Sequence, residues 1–577
     1  MHKLKHIRIA GLATIAAMMA TGMSANAAVH YVKSGSNSGD GTSWASAYTT
    51  LDEALDASQP GDEIWVAAGI YKPTRLINTS VKNSRTFFLK DGVSLYGGFS
   101  GTESSKDERV LKAGGNIWDM ANETILSGDD DVPDVWEREI SSGTTYRYTW
   151  KTENSQIPGS QNNATHVLYN GDIIRNSTVI DGFTITGGNA NQHKAKASGG
   201  GIYATGNVSI NACRIIENST YFRNEPLTND IQALGGGIYL NGAGDASVTN
   251  CYFSRNYATS SYTIGRGGGL YAKNAKISGC TFEDCVGEDG GGAVYQISGT
   301  LTDCTFSNCY GSAGGALYAA GTVERVSASE CRSLNGGGIY VDGGGTVTHA
   351  KVWNCYADAT EYGDNLGGSG GGIFVHGGNV LGCVVYNNLS FNGGGICIRS
   401  GRVINSTVQN NATRKDNPAM ANIDEWPESG AIAGVANCCI RGMDTDASNF
   451  TAPTTFTGMS NDDMQKEALA LADWSLAAGS EFIDAGTPTE GLQEATDFAG
   501  NARVTGRSID VGAYEYNTGS TGIDKPESGM NSSKISSISY YSFSGMPLGQ
   551  AAPKHGCYIV RINFTDGHTV YRRHLIK

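Results

Sequence analysis

The chain has 577 residues and a formal net charge of -14, and only 17% of its residues are charged. This acidic balance argues against nucleic acid and anionic membrane surfaces as partners. The 79 glycines favour a repeated β fold with many turns over a helical one.

Residues 1–27 have the features of a secretory signal peptide. Lys3, Lys5 and Arg8 form a basic start, an apolar run follows, and a small-residue cleavage site ends at Ala27. No later apolar stretch is long enough to span a bilayer. We therefore expect a secreted or cell-surface monomer, associated with the outer membrane, that is cleaved near Ala27 and has no transmembrane segment.

The segment from His30 to Tyr71 predicts a strand, a short helix and a second strand. Thr50 and Glu53 have the spacing of a capping box at the helix start. Such a unit would cover the open edge of a first coil, which otherwise invites aggregation. The segment resembles the amino-terminal cap of pectin-lyase-like β-helix proteins, and we assign residues 28–128 to this cap and the first coils.

Residues 129–163 form a polar, irregular insertion. Its three consecutive carboxylates, Asp129, Asp130 and Asp131, are of the residue type that binds calcium. Three neighbouring side chains of an extended chain cannot all face one ion, so a solvated loop is the favoured interpretation. We expect no cofactor or metal here, with calcium as the alternative.

Residues 164–440 contain a short phrase that returns every 22 to 36 residues. It reads GGGIY or a close variant and ends at Tyr203, Tyr239, Tyr271, Tyr295, Tyr318, Tyr340, Phe374 and Cys397. A second phrase follows each copy, as in LTDCTFSNC from Leu301 to Cys309. Two strands per turn with a third strand or bend predict an all-β fold, a right-handed parallel β-helix solenoid.

The aromatic residues of the first phrase are predicted to face outward. Alternate residues of a strand point to opposite sides, and Ile238 with Leu240 illustrates the apolar pair that flanks each aromatic residue. The aromatic residues would then stack into a strip on the order of 30 Å long, at about 4.8 Å per strand. Tyr271, Tyr295, Tyr318 and Tyr340 are candidate ligand contacts in this strip. The alternative is that stacked rings only stabilise neighbouring coils.

The thirteen cysteines follow the repeat. One slot holds Cys213, Cys251, Cys280, Cys304 and Cys383, and another holds Cys285, Cys309, Cys331 and Cys355, where other coils have Asn218, Asn256, Asn388 and Asn411. We predict buried free thiols and a ladder of Asn amides. Disulfides between adjacent coils are the alternative.

Inserted residues fall just before the glycine corner of several coils, where they would form the walls of a groove. The insertions cover residues 219–234, 257–266, 356–369 and 412–429, and short connections at 286–290, 310–313 and 332–335 would form its floor. The candidate lining residues are Tyr262, Arg266, Tyr310, Arg332, Tyr362 and Asp364. The alternative is an edge that merely tolerates insertions.

An enzyme would need acid–base groups at equivalent slots of neighbouring coils. Asp303, Arg325 and His349 occupy such slots and form the candidate set for proton abstraction. Mixed charges on adjacent coils also serve plain stability, and no calcium cluster lies nearby in sequence. We lean against catalysis.

Residues 441–516 close the solenoid. The phrases DWSLAAGSEFIDAGTP and TDFAGNARVTGRSIDVGAYEY resemble the choice-of-anchor Q segment of bacterial surface β-helix proteins. That resemblance implies a cap that precedes an export or anchoring signal. We expect its carboxylates Asp484, Asp497 and Asp510 to accept turn and cap hydrogen bonds.

A polar linker, residues 517–533, leads to a basic tail, residues 534–577. Its phrases YSFSG and GCYIV resemble the carboxy-terminal sorting domain of the type IX secretion system of Bacteroidetes, although the usual Pro-Asn-Pro opening is missing. The resemblance implies a small β domain that is read by the secretion machinery.

The repeats resemble those of polymorphic outer-membrane proteins, as in GGGIY at Tyr239 and FSRN from Phe253 to Asn256. This resemblance implies an adhesin-like β-helix that binds a glycan or a surface protein. The alternatives are a polysaccharide lyase or glycoside hydrolase, and a passive stalk.

Overall fold

The structure is a computed structural model, and it describes only part of the chain. The described residues are 27–37, 39–140, 148–191, 197–222, 232–260, 264–357, 368–413, 421–425, 433–439, 474–476, 479–489, 494–516, 535–541, 547–549, 556–564 and 569–576. The chain divides into two compact units, Met1–Tyr516 and Asn517–Lys577. The first unit is a solenoid of parallel strands.

The first sheet carries the repeated GGGIY phrase and has 22 strands. They are Val29–Val32, Glu63–Ala67, Arg75–Leu76, Arg85–Phe88, Ser94–Phe99, Leu168–Tyr169, Ile174–Asp181, Ile202–Asn211, Ile238–Gly242, Ser247–Thr249, Leu270–Lys273, Ala275–Ser278, Val294–Gln296, Gly299–Thr302, Leu317–Ala319, Thr322–Glu324, Ile339–Asp342, Thr346–Thr348, Ile373–Leu381, Ile396–Ile404, Ile423–Glu425 and Ala433–Ala436. Equivalent residues of successive coils pair in register, so that Tyr203 is opposite Tyr239 and Tyr239 is opposite Tyr271.

The second and third sheets complete each coil, with 11 strands each. The second contains Gly69–Tyr71, Thr124–Ser127, Phe183–Thr186, Arg214–Ile216, Tyr252–Ser254, Thr281–Glu283, Thr305–Ser307, Ser327–Ser329, Lys351–Trp353, Val384–Tyr386 and Thr407–Gln409. The third contains Asn189–Ala190, Ser219–Phe222, Ala233–Leu234, Tyr257–Ser260, Gly265–Arg266, Val286–Gly290, Tyr310–Ala313, Arg332–Ser333, Tyr356–Ala357, Leu389–Ser390 and Ala412–Thr413. The short connections of the sequence analysis are therefore strands of the third sheet.

Two bends of each coil are made by single residues with positive φ. Between the first and second sheets they are Ala212, Asn250, Gly279, Asp303, Arg325, His349, Gly382, Asn405 and Asn437. Between the second and third sheets they are Glu217, Arg255, Asp284, Asn308, Glu330, Asn354, Asn387 and Asn410. Asn, Asp and Gly tolerate this left-handed conformation best, which explains why they recur in these two slots.

The glycine corner before the first sheet has the predicted backbone cause. Gly235 has a φ of 65°, and a Cβ at this position would lie 1.9 Å from the carbonyl oxygen of Ile238. A side chain is therefore excluded both by conformation and by space.

Apolar side chains fill the interior of the coils. Ile238 and Leu240 are fully buried, as the alternation predicted. Phe253, Phe282 and Phe306 stack inside the solenoid with ring centroids 4.4 and 5.1 Å apart. The core is thus a quasi-linear stack, in which each coil packs mainly on its neighbours.

The cysteine slots point into this core. The twelve cysteines whose side chains are described are all free, and eleven of them are buried. Among the described residues the predicted free thiols are therefore present and no disulfide occurs. Burial raises the pKa of Cys383 to about 12, so this thiol stays neutral at physiological pH.

The Asn residues that replace Cys form the predicted amide ladder. Asn218 Nδ2 donates to Asn256 Oδ1 at 3.2 Å, and Asn388 Nδ2 donates to Asn411 Oδ1 at 3.0 Å. The ladder ends at Asn422, whose Oδ1 accepts from Asn411 Nδ2 at 3.1 Å. Each amide also satisfies backbone groups at the bend.

The amino-terminal cap has the predicted order of elements. The strand Val29–Val32 is followed by a 3-10 turn, Trp44–Ser46, and by the α-helix Leu51–Ala57. Both hydrogen bonds of the capping box between Thr50 and Glu53 are present. The helix buries Leu51 and Leu55 against the first coils.

Two further segments lie against the solenoid. Residues 129–163 contain a hairpin, Arg138–Ile140 with Tyr148–Trp150, and a 3-10 turn, Ser160–Asn162. Another 3-10 turn, Lys106–Glu108, precedes this segment. The described part of 474–516 runs along the last coils, with Trp474 on Tyr386 at 4.5 Å and the Gly512 amide on the carbonyl of Asn437 at 2.9 Å.

The second unit is a four-stranded antiparallel sheet of Ile535–Tyr541, Pro547–Gly549, Gly556–Phe564 and Thr569–Ile576. It agrees with the small β domain predicted for residues 534–577. No helix among the described residues combines the length and apolar character needed to cross a bilayer.

Candidate functional site

A continuous aromatic ladder runs along the outer face of the first sheet. Its members are Tyr169, Tyr203, Tyr239, Tyr271, Tyr295, Tyr318, Tyr340 and Phe374. Neighbouring ring centroids are 4.1 to 5.8 Å apart, because each ring occupies the same slot of an in-register strand. The sequence predicted this column from Tyr203 onward but missed Tyr169, whose strand lacks the glycine phrase.

The stacking determines which part of each ring is accessible. Interplanar angles from Tyr203 to Tyr340 are only 6° to 16°, so the rings cover one another's faces. The ladder therefore offers ring edges and hydroxyl groups. Burial raises the pKa of Tyr203 to about 12, and it raises the pKa of Tyr239 and Tyr271 as well. These phenols stay protonated at neutral pH and can donate hydrogen bonds.

A polar network adjoins the ladder at its carboxy-terminal end. The hydroxyl of Tyr318 donates to the carboxylate of Asp342, and His376 Nδ1 lies 3.0 Å from Asp342 Oδ1. Asp342 and His376 are opposite each other on adjacent strands and remain 29% and 38% exposed. Burial, and after it the bond to Asp342, raises the pKa of Tyr318.

Asp342 and His376 are not among the residues predicted from the sequence, although a signal for both is present. Each lies two residues after the ladder residue of its coil, Tyr340 or Phe374, and so points to the same outer face. Reading period two past the aromatic residue would have found both.

Arg266 adjoins the ladder from the side of the insertions. Its Nε donates to Asp289 at 2.6 Å, and its guanidinium lies 4.9 Å from the centroid of the Tyr295 ring. Two residues that were predicted for separate surfaces, Arg266 and Tyr295, thus belong to one surface.

The predicted groove floor is partly covered. Tyr310 is only 8% exposed, because Trp150 and Ile157 of the 129–163 insertion pack with it. Arg138 of the same insertion lies 4.1 Å from the Trp150 ring and donates to Asp284 at 3.2 Å. The short connections therefore carry a docked hairpin at this place instead of an open floor.

Of the remaining predicted groove residues, only Arg332 lies in the described part of the chain. Arg332 is half-buried and pairs with Tyr310 across adjacent strands of the third sheet. Tyr262, Tyr362 and Asp364 lie outside the described residues.

The candidate catalytic set occupies the bend between the first and second sheets. Arg325 forms two bonds to Asp303, at 2.8 and 3.0 Å, which hold the pKa of the Asp303 carboxyl below its usual range. His349 is 7% exposed under the carboxy-terminal segment and contacts the carbonyl of Thr496 at 3.1 Å. Burial lowers the pKa of His349. An ionised, paired acid and a covered imidazole favour the structural alternative.

The carboxylates of residues 474–516 accept backbone hydrogen bonds, as predicted. Asp484 Oδ1 accepts from Arg507 N at 2.6 Å, and Asp497 Oδ1 accepts from Asn501 N at 2.7 Å. Asp510 Oδ1 accepts from Asp484 N at 2.6 Å. Among the described residues, no cluster of three or more His, Cys, Asp or Glu could hold a metal ion.

Comparisons with known proteins concern the fold. No curated protein matches the chain. Two similar solved structures are the crystal structure of pectate lyase Pel9A and the complex of XylC with xylose. The first has 14% identity and a TM-score of 0.32 over 85% of this chain and 96% of that chain. The second has 9% identity and a TM-score of 0.27 over 69% of this chain and 70% of that chain. At these values neither structure informs the chemistry.

A family model described as a right handed beta helix region matches residues 141–332, about a third of the chain. The matched residues include the coils with the most regular ladder. Together with the stacks of parallel strands, this match identifies the fold of the solenoid as a right-handed parallel β-helix.

Proposed function

We propose that the protein is an exported, cell-surface or secreted binding protein without catalytic activity, and that its ligand is an extended glycan lying along the aromatic ladder. The observation that carries this proposal is the column of tyrosine edges, one per coil and 4.1 to 5.8 Å from ring to ring. One sugar unit of an extended polysaccharide has a similar length. The half-buried tyrosines, such as Tyr203, Tyr239 and Tyr271, can therefore offer hydroxyl groups to successive sugars.

Charged groups beside the ladder support a polar ligand. Asp342 and His376 lie at one end of the regular column, and Arg266 with Asp289 lies beside Tyr295. Carboxylate, imidazole and guanidinium groups all form hydrogen bonds to sugar hydroxyls. A surface protein is the other partner class that such a face suits, and the experiment below separates the two.

The export part of the proposal is supported by the two ends of the sequence. Residues 1–27 resemble a cleaved leader, and the small β unit that begins near residue 534 resembles a type IX sorting domain. Cell fractionation with and without residues 534–577 tests this part. Retention of the shortened chain in the periplasm is the expected result, whereas unchanged surface display would contradict it.

The binding experiment uses the mature chain on a glycan array, followed by calorimetry with the best oligosaccharide. Tyr239→Phe together with Tyr271→Phe removes two hydroxyls and keeps the stacked rings. A hydrogen bond contributes about 1 kcal/mol net, so we expect affinity to fall by roughly fivefold per hydroxyl. Tyr48→Phe, in the amino-terminal cap, is the matched control and should bind like the wild type.

Parallel assays for unsaturated uronate products and for new reducing ends test the enzyme alternative. We expect no product. Product that disappears in Asp342→Asn and His376→Ala, or in Asp303→Ala with His349→Ala, would overturn the non-catalytic proposal. Absence of any glycan signal would favour a protein partner or a passive stalk.

A further inference from the structure

A separate cleft lies on the outer face of the second sheet, away from the ladder. It has a volume of about 390 Å³ and lies between the loop that precedes Thr124–Ser127 and three successive coils of the second sheet. Its lining residues are Asn116, Trp118, Asp119, Arg214, Tyr252 and Thr281. The volume is in the range of small-molecule sites.

The aromatic wall of the cleft differs from the ladder. Trp118 and Tyr252 are nearly parallel, at 20°, with centroids 5.9 Å apart. Both side chains are partly exposed and both line the cleft. Such a wall suits a flat, partly apolar ligand.

The polar wall is held in place by a paired network. Arg214 NH1 lies 3.4 Å from Glu123 and 4.0 Å from Asp119, while the Tyr252 hydroxyl donates to Glu283 at 2.7 Å. Asn116 donates to Asp119 at 2.9 Å through its backbone amide. These contacts fix the directions of donors and acceptors before any ligand arrives.

Some polar groups of the cleft remain available. The guanidinium of Arg214 lines the cleft, although its Nε is closed to solvent and has no hydrogen-bond partner. Thr281 adds a hydroxyl on the neighbouring coil.

Charge and the adjoining surface narrow the ligand class. Asp119 and Glu123 pair with Arg214, Glu123 also pairs with Lys112 at 3.6 Å, and Glu283 accepts from Tyr252, so three carboxylates accompany two cations. Phosphate or carboxylate ligands would meet net repulsion. Val110 and Ile117 of the same loop are 56% and 46% exposed, so apolar surface continues beyond the cleft.

We propose that this cleft binds one neutral pyranose unit, with its C–H face on Trp118 and its hydroxyls on Arg214, Asp119 and Thr281. The site is independent of the ladder, because it lies on a different sheet. The unit can come from a free sugar or from the end of a polysaccharide, and both sources present the same chemistry.

The test is calorimetry of the mature full chain with methyl glycosides of glucose, galactose, mannose and xylose, and with galacturonate as the charged comparison. We expect millimolar binding of at least one neutral glycoside and binding of galacturonate at least fivefold weaker. A polysaccharide that ends in the preferred sugar distinguishes the two sources. Binding at least as tight as that of the methyl glycoside indicates a chain end, and weaker binding indicates the free sugar.

Variants assign the binding to the cleft. Trp118→Ala is expected to weaken binding at least tenfold, and Thr281→Val, which keeps the side-chain shape, severalfold. Val110→Ala, on the same loop but lining neither wall, should bind like the wild type. If Trp118→Ala does not fold, Thr281→Val and Trp118→Phe carry the test.

The proposal is overturned if no neutral glycoside binds, if galacturonate binds best, or if the cleft variants retain wild-type affinity. It is also overturned if Tyr239→Phe with Tyr271→Phe abolishes methyl glycoside binding. That double variant changes only ladder residues. Failure of the ladder proposal and failure of the cleft proposal therefore give different results.

Discussion

Backbone conformation explains residue choices that side-chain chemistry alone would misread. Asp303, Arg325 and His349 occupy one slot of successive coils and look like an acid, a cation and a base in a row. All three have φ between 51° and 55°. The slot selects for a left-handed bend, and the side chains then pair locally or become covered. A column of titratable residues in a solenoid is therefore weak evidence for catalysis.

Asp134 is the residue whose titration should affect stability. Burial raises its pKa to about 7, with further contributions from Asp129 and Glu217, while Asn163 donates to it at 2.9 Å. An unfolded Asp titrates near pH 4. The folded state thus binds a proton that the unfolded state has lost between about pH 4 and pH 7.

The sign of this linkage predicts a loss of stability as pH rises through that window. Asp134→Asn, which mimics the neutral acid, should reduce the fall in melting temperature between pH 5 and pH 8. The measurement is thermal unfolding of both chains at the two pH values. Asp245→Asn, at a side chain that is 85% exposed, is the control. If the melting temperature of the Asp134→Asn chain falls as much as that of the wild type, the raised pKa of Asp134 is not the cause.

At the scale of elements, the columns of inward side chains join one coil to the next. Asn388 accepts from the amide of Cys355 at 2.8 Å and donates to the carbonyls of Val352 and Tyr386, each at 3.0 Å. One side chain thus satisfies buried backbone groups on two strands and at one bend. Cys in the same slot of other coils fills the space but makes fewer and weaker bonds.

Asn388→Ala should destabilise the solenoid by about 2 to 3 kcal/mol, since it leaves a buried amide and two carbonyls without this partner. Denaturant unfolding followed by circular dichroism measures the change. Asn241→Ala, on the outer face of the first sheet, is the control and should cost less than about 0.5 kcal/mol. Equal effects of the two substitutions would show that the Asn amide ladder is not the source of this stability.

For the whole molecule, the free thiols distinguish this solenoid from a fold that is held together by disulfides. The described cysteines lie in the core at 0 to 1% exposure, except Cys438. Coils that bury apolar side chains continuously do not need covalent links between them.

Reducing agent should therefore leave the melting temperature of residues 28–516 unchanged. Thiol reagents should modify the native chain slowly and the unfolded chain completely. Labelling followed by mass spectrometry measures both rates. A lower melting temperature under reduction would instead indicate bridges between coils.

Sequence reasoning was most successful where one slot repeats. Spacing alone predicted the register of Tyr203 with its successors and the Asn ladder, because the same local rule applies at every coil. The capping box at Thr50 also followed from local spacing. Contacts between distant segments followed no such rule. The hairpin over Tyr310 and the cover over His349 come from insertions with irregular sequences, and the cleft at Trp118 combines a loop with coils about 100 to 160 residues further on.

The register of the strands also makes the length of the protein adjustable. Tyr318 and Tyr340 are equivalent and 22 residues apart. Excision of residues 319–340 would join two matching positions and shorten the molecule by one turn, whereas removal of ten residues would bring the wrong side chains inward. Unequal recombination between the repeated gene segments would generate such whole-turn variants directly. Natural relatives should therefore differ in solenoid length by whole numbers of turns.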